Sequence, residues 1–116
     1  MSGSIARPSF SPSGENYKVA RAFIAGGVSV EKGFLFDGAS APNFTLNTLG
    51  LSRFDPRLIV AACVHDKAYR SGCVSRKEAD LLFYNLLVQG GISRRKSNVL
   101  YRSVRAFGSK HYKGKK

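Results

Sequence analysis

Long apolar runs are missing from this chain of 116 residues: none approaches the ~20 consecutive apolar residues of a membrane-spanning helix. Cysteine is scarce as well. With only Cys63 and Cys73 there is no disulfide framework and no metal-type cysteine spacing. Cys63 falls in an apolar helical stretch, where a small buried thiol is the expected reading, and Cys73 falls in a turn. The sequence leaves a single Cys63–Cys73 bridge open. The first 16 residues are rich in Ser, Gly and Pro and lack the charged start and apolar centre of a signal peptide, so the expectation is a flexible arm and no leader. Negative charge is the third scarcity: seven acidic residues face 19 Lys and Arg, a net charge of +12. From Ser93 onward there is no acidic residue at all, against a run of Lys and Arg that ends His111-Tyr112-Lys113-Gly114-Lys115-Lys116. Such a field draws a protein toward polyanions, nucleic acid or anionic lipid, or simply keeps it in solution.

Hydrophobic residues make up 43% of the chain and include eight Phe, enough for the core of one domain of this length. The expected organisation is an arm over residues 1–16, a globular domain over 17–109 and a basic tail over 110–116. Tyr17 to Ala25 and Val28 to Val30 read as two strands joined through Gly26-Gly27. Gly33 to Phe36 starts as a strand and breaks at Asp37-Gly38, and a loop then runs to about Phe54. Asp55-Pro56 opens a helix, with the carboxylate as cap and Pro in the first turn, that runs to about Arg70. Its stretch from Leu58 to Val64 is apolar on every side, as in a helix covered all round, and Ala61, Ala62 and Ala68 permit close approach of a neighbour. Ser75-Arg76-Lys77-Glu78 is a capping box for a second helix ending near Gln89. Ser93 opens a third, with Val99, Leu100, Val104 and Phe107 on one face and Gly108 at its end. The fold class is therefore α+β and mainly helical: a short N-terminal hairpin, a glycine-containing loop and three helices.

Titratable groups set in apolar helices carry the functional signal. His65-Asp66-x-x-Tyr69 lies in the first long helix, and Asp80 is the only charged residue between Ala79 and Gln89 in the second. Burying such groups is costly unless they are paired. Adjacent helical residues point about 100° apart, so His65 and Asp66 face different partners, whereas His65 and Tyr69 share a face. A His65 held by Asp80 is set up as a general base, its tautomer fixed by the carboxylate. Asp66 would then hold a hard cation such as calcium, helped by backbone carbonyls of the segment from Phe36 to Ala41. The plainer alternative makes His65 a core histidine, Asp66 an exposed helix residue and Asp80 the partner of Arg76 one turn back. Asp37-Gly38 reads first as a turn and second as part of a cation loop. Arg94, Arg95, Lys96, Arg102 and Arg105 span the third helix as a candidate basic patch for phosphates.

The run Ala61-Ala62-Cys63-Val64-His65-Asp66-Lys67-Ala68-Tyr69 resembles the active-site helix of the phospholipase A2 superfamily, and in particular its disulfide-free form in parvovirus capsid proteins. That resemblance implies His65 as base, Asp80 orienting it, Tyr69 supporting the network, and calcium on Asp66 with Asp37 and Gly38 in its loop. A wider likeness runs roughly from Val28 to Tyr112. It rests on Phe36-Asp37-Gly38-Ala39-Ser40-Ala41-Pro42, the His65 motif, Ser75 to Asp80, and Tyr101-Arg102-x-Val104-Arg105-x-Phe107-Gly108. These are similar to a family of small phage and prophage proteins and imply a viral origin, in the virion or the infected bacterial cell. The leading expectation is a calcium-dependent hydrolase of glycerophospholipid esters, drawn to anionic membrane by its basic end. Its rivals are a non-catalytic virion part contacting neighbouring subunits, and a protein that binds nucleic acid non-specifically through its basic C-terminus.

Overall fold

In a computed structural model the described residues are 10–13, 16–36, 43–52, 55–109 and 112. The elements run β1 (Phe10–Ser13), β2 (Asn16–Val19), β3 (Phe23–Ala25), β4 (Val28–Val30), β5 (Leu35–Phe36), α1 (Asn43–Thr48), α2 (Pro56–Ser71), α3 (Arg76–Gln89) and α4 (Arg94–Phe107). The architecture is α+β, as the sequence implies, and among the described residues no helix is long and apolar enough to cross a membrane.

The hairpin forms where glycine permits it. Gly26 and Gly27 have φ of 58° and 81°, the pair of positive values that a two-residue turn of right-handed twist requires. The register Phe23↔Val30 and Ala25↔Val28 turns Phe23, Val28 and Val30 inward and leaves Ile24 and Ser29 outside. The single strand expected from Tyr17 to Ala25 is instead two. Continued alternation between the buried Val19 and Phe23 would have buried Arg21, and the chain bends over residues 20–22, all exposed. β2 pairs with β1 on one side and β5 on the other, in a separate antiparallel sheet of order β1-β2-β5. Phe10 to Ser13 is thus strand, inside the stretch expected to be a flexible arm.

Helix ends follow their local chemistry. Asp55 accepts the Arg57 amide at 2.9 Å with Pro56 in the first turn, and α2 stops at Gly72. Ser75 and Glu78 exchange side-chain to backbone hydrogen bonds at both 3.1 Å, completing the capping box of α3. Ser93 Oγ accepts the Lys96 amide at 3.2 Å to open α4. The loop expected between Pro42 and Phe54 contains the short α1, whose Thr45 lies 3.4 Å from Ser103 of α4 through their hydroxyls.

Helix α2 is the central element, as its all-round apolarity implies. Ile59, Cys63, Val64 and Ala68 pack with Val19, Phe23, Val28, Val30 and Phe36 of the sheets. Leu58 and Ala61, on its other side, pack with Phe83 and Leu87 of α3 and Leu100 and Val104 of α4. The approach of α2 to α3 is close enough that a Cβ at Gly90 would come within 2.6 Å of the Arg57 carbonyl oxygen. Pairing of Arg57 with Gly90 at one end and His65 with Asp80 further along makes the two helices antiparallel.

Two expectations for the C-terminal part change. The inward face of α4 is Ser97, Leu100, Ser103 and Val104, while Val99 and Phe107 are exposed. Val99 stands 100° from Leu100 around the helix, outside the arc that faces α3, and Phe107 lies in the last turn. In the expected tail over 110–116, the one described residue, Tyr112, is buried, donates its hydroxyl to the Val74 carbonyl at 2.7 Å and packs edge-on against Tyr69.

A candidate active site between the antiparallel helices

His65 and Tyr69, one turn apart on α2, project together toward α3, with ring centroids 4.2 Å apart. Asp80, in the first turns of α3, meets them both. One carboxylate oxygen, Oδ1, accepts the Tyr69 hydroxyl at 2.6 Å and contacts His65 Nε2 at 2.6 Å. The other, Oδ2, accepts Arg105 Nη1 of α4 at 2.9 Å and has Arg76 Nη1 at 3.8 Å. The Phe83 ring centroid lies 4.8 Å from that of the imidazole. His65 is 2% exposed and Asp80 fully buried.

The electrostatics of Asp80 follow from this shell. Burial alone pushes its carboxyl upward, but hydrogen bonds from His65, Tyr69 and Arg105 favour the anion more strongly and hold it below the ordinary carboxylate range. Tyr69 shifts the opposite way, since burial and its bond to the anionic Asp80 both favour the protonated phenol. An ionised carboxylate can only accept, so the proton of a neutral His65 sits on Nε2 and its lone pair on Nδ1. That is the tautomer a general base needs. Arg76 is fixed in turn by donating to the carbonyls of Val104 and Arg105 at 3.3 and 3.2 Å, which satisfies acceptors in the last turn of α4.

Asp66 points elsewhere, as the helical geometry requires. Its Oδ2 lies 3.0 Å from Arg70 Nη2, and Arg70 Nη1 donates to the Leu35 carbonyl at 2.9 Å. Asp37 and Gly38 lie outside the described residues. Calcium would take the Asp66 carboxylate together with carbonyls of the segment that follows β5. The guanidinium of Arg70 already engages both Asp66 and the carbonyl of Leu35, and a dication sharing that carboxylate would be repelled by it. Among the described residues there is also no group of three or more His, Cys, Asp or Glu that could hold a metal. With Arg70 in this place, the described residues leave calcium no site beside Asp66.

The expected basic patch divides. Arg94, Arg95 and Arg102 are exposed, and Lys96 is half-buried. Three of these cations occupy the first turn of α4, where the helix dipole disfavours positive charge, so they do not serve helix stability. Arg105 leaves the patch and turns inward to Asp80. Nothing local in the sequence sets Arg105 apart from the other cations of that patch; its contact spans 25 residues and exists only once α3 and α4 pack. Arg76 was legible as a partner one turn from Asp80, but its bonds to the end of α4 were not. Cys63 and Cys73 are unbridged, the first buried and the second exposed, and burial pushes the Cys63 thiol up to about 12.

Fold and site together define a small α+β protein whose helical hairpin buries a His-Asp-Tyr network clamped by two arginines. The chain belongs to the family described as protein of unknown function (DUF1353), whose model matches residues 15–104. Comparison with curated proteins and with solved structures gives no match.

Proposed function

We propose that the protein is a phage-encoded, phospholipase A2-like hydrolase of glycerophospholipid esters, with His65 as general base and Asp80 and Tyr69 as the residues that position it. The observation that carries this reading is the 2.6 Å contact of His65 Nε2 with a carboxylate held ionised by Tyr69 and Arg105. In the reaction, a water oxygen attacks the ester carbonyl carbon while its proton passes to Nδ1 of His65. The tetrahedral intermediate then expels the lysophospholipid oxygen, which takes the proton back, and fatty acid is released. Because His65 is 2% exposed, the ester reaches Nδ1 only when the cover over the ring moves aside. The exposed cations of α4 would hold the protein on an anionic bilayer.

A second reading is favoured by that same burial. A carboxylate fully removed from solvent and bonded from three helical positions is also what a lock between α2, α3 and α4 requires, as in a non-catalytic virion component. Fatty-acid release from mixed anionic and zwitterionic vesicles separates the two. Wild-type activity that His65→Ala reduces by about two orders of magnitude or more, with the fold intact by circular dichroism, supports the hydrolase. Folded wild-type protein that releases no fatty acid from any vesicle leaves the helix lock.

A further inference from the structure

The strongest feature outside the His65 network is the cation beside it. Arg70 is held from three sides: the Asp66 carboxylate at 3.0 Å, the Leu35 carbonyl at 2.9 Å, and the ring of Phe34, whose centroid lies 5.0 Å from the guanidinium carbon. Lys67 Nζ sits over the same ring at 5.4 Å and is paired with Glu31 at 2.8 Å. A carboxylate and a backbone carbonyl converging from a helix and from the strand before a glycine-containing segment are the oxygen donors that a hard cation takes. Here a guanidinium lies against both, as an ion pair with the carboxylate and as a hydrogen-bond donor to the carbonyl, its planar fork spanning the two.

We infer that Arg70 is a built-in cation occupying the place beside Asp66 that a metal ion would otherwise take, so that the site is independent of calcium and Arg70 is its positioning residue. The pairing order, Asp66 one turn before Arg70, is the favourable one for a helix, which lets the cation form as part of α2 itself. Its second bond pins β5 immediately ahead of residues 37–42, so one side chain fixes the helix that carries His65 against the strand that leads into that segment. The consequence for catalysis rests on the hydrolase reading; the consequence for metal binding does not.

The test therefore reads binding and activity separately. Thermal unfolding and titration calorimetry are run on wild type, Asp66→Asn, Arg70→Gln, Arg70→Met and Asp66→Asn/Arg70→Gln, with about 10 mM calcium or with chelator. Arg70 is 51% exposed, so these variants retain the fold. Wild type is expected to show no heat and no shift in Tm. Arg70→Gln, relieved of the competing charge, is expected to gain about 5 °C from calcium, the shift of a site with a Kd of about 1 mM. Arg70→Met should do the same, and the double variant should lose the gain. A wild-type calcium response that Asp66→Asn abolishes overturns the inference, and so do Arg70 variants that stay insensitive to calcium. In the vesicle assay, wild-type hydrolysis unchanged by chelator extends the inference to catalysis, whereas hydrolysis abolished by chelator overturns it. If no fatty acid is released under any condition, the hydrolase reading falls and the calorimetric result still decides the role of Arg70.

Discussion

Replacing Asp80 by Asn changes one atom at the centre of the molecule and tests most of the argument about the site. The amide oxygen can still accept from His65 and Tyr69, but the amide nitrogen then presents hydrogens to Arg105, donor against donor. Removing one partner of a fully buried ion pair costs about 3–5 kcal/mol, because the remaining charge is left without compensation. Arg105 is 34% exposed and can turn partly to water, which places the expected loss toward the lower end, about 3 kcal/mol. For a domain of this size that corresponds to a fall in Tm of roughly 10 °C. Asp80→Ala should cost more, about 4 kcal/mol or above, since His65 Nε2 and the Tyr69 hydroxyl then lose their acceptor inside the core. Urea titrations at a series of pH values measure both. The Asp80 carboxyl is held below its ordinary value of 3.8 in the folded state, so its contribution is complete above about pH 4 and drains away as pH falls through the lower, folded value. The gap between wild type and Asp80→Asn should be constant near neutrality and narrow below pH 4. A loss under about 1 kcal/mol at neutral pH, or a gap that holds constant down to pH 2, would refute the idea that a buried carboxylate organises the three helices.

Two further outcomes follow from particular side chains. Arg105→Ala and Arg102→Ala remove the same charge from the same helix, yet the first should cost about 1–2 kcal/mol in chemical denaturation and the second no more than about 0.5; equal effects would mean that Arg105 does not act through Asp80. With its thiol pushed up to about 12 and no solvent exposure, Cys63 should resist a thiol reagent in the native protein while Cys73 reacts, giving one fast group folded and two in denaturant. Two equally fast thiols in the native state would place Cys63 outside the core.

Much of this protein is legible locally. Ser75 and Glu78 cap α3 because a hydroxyl and a carboxylate three residues apart satisfy each other's amides wherever the chain enters a helix. Gly26-Gly27 dictates its turn, and the apolar circumference of α2 dictates a helix covered on all sides. The pairing of His65 with Asp80 was readable because a lone carboxylate in an apolar helix needs a donor and an antiparallel neighbour supplies one. The bend over residues 20–22 shows the limit. Arg21 disfavours continued alternation there, but the two strands also take different partners, β5 for β2 and β4 for β3, and no short window of sequence encodes a choice of partner.

By itself, then, the sequence determined what depends on spacing along one chain segment: the hairpin turn, the caps and lengths of α2, α3 and α4, the central place of α2, and the sharing of one helix face by His65 and Tyr69. Only the tertiary structure decided what depends on which surfaces meet. It turned Arg105 from a phosphate-binding candidate into the counter-charge of Asp80, buried Tyr112 of the basic end against Tyr69, and brought Arg70 across to the carbonyl of Leu35. The physical reason is common to all three. A long cationic or aromatic side chain is equally at home in water and over a buried acceptor, so its destination is set by a partner tens of residues away rather than by its own neighbours.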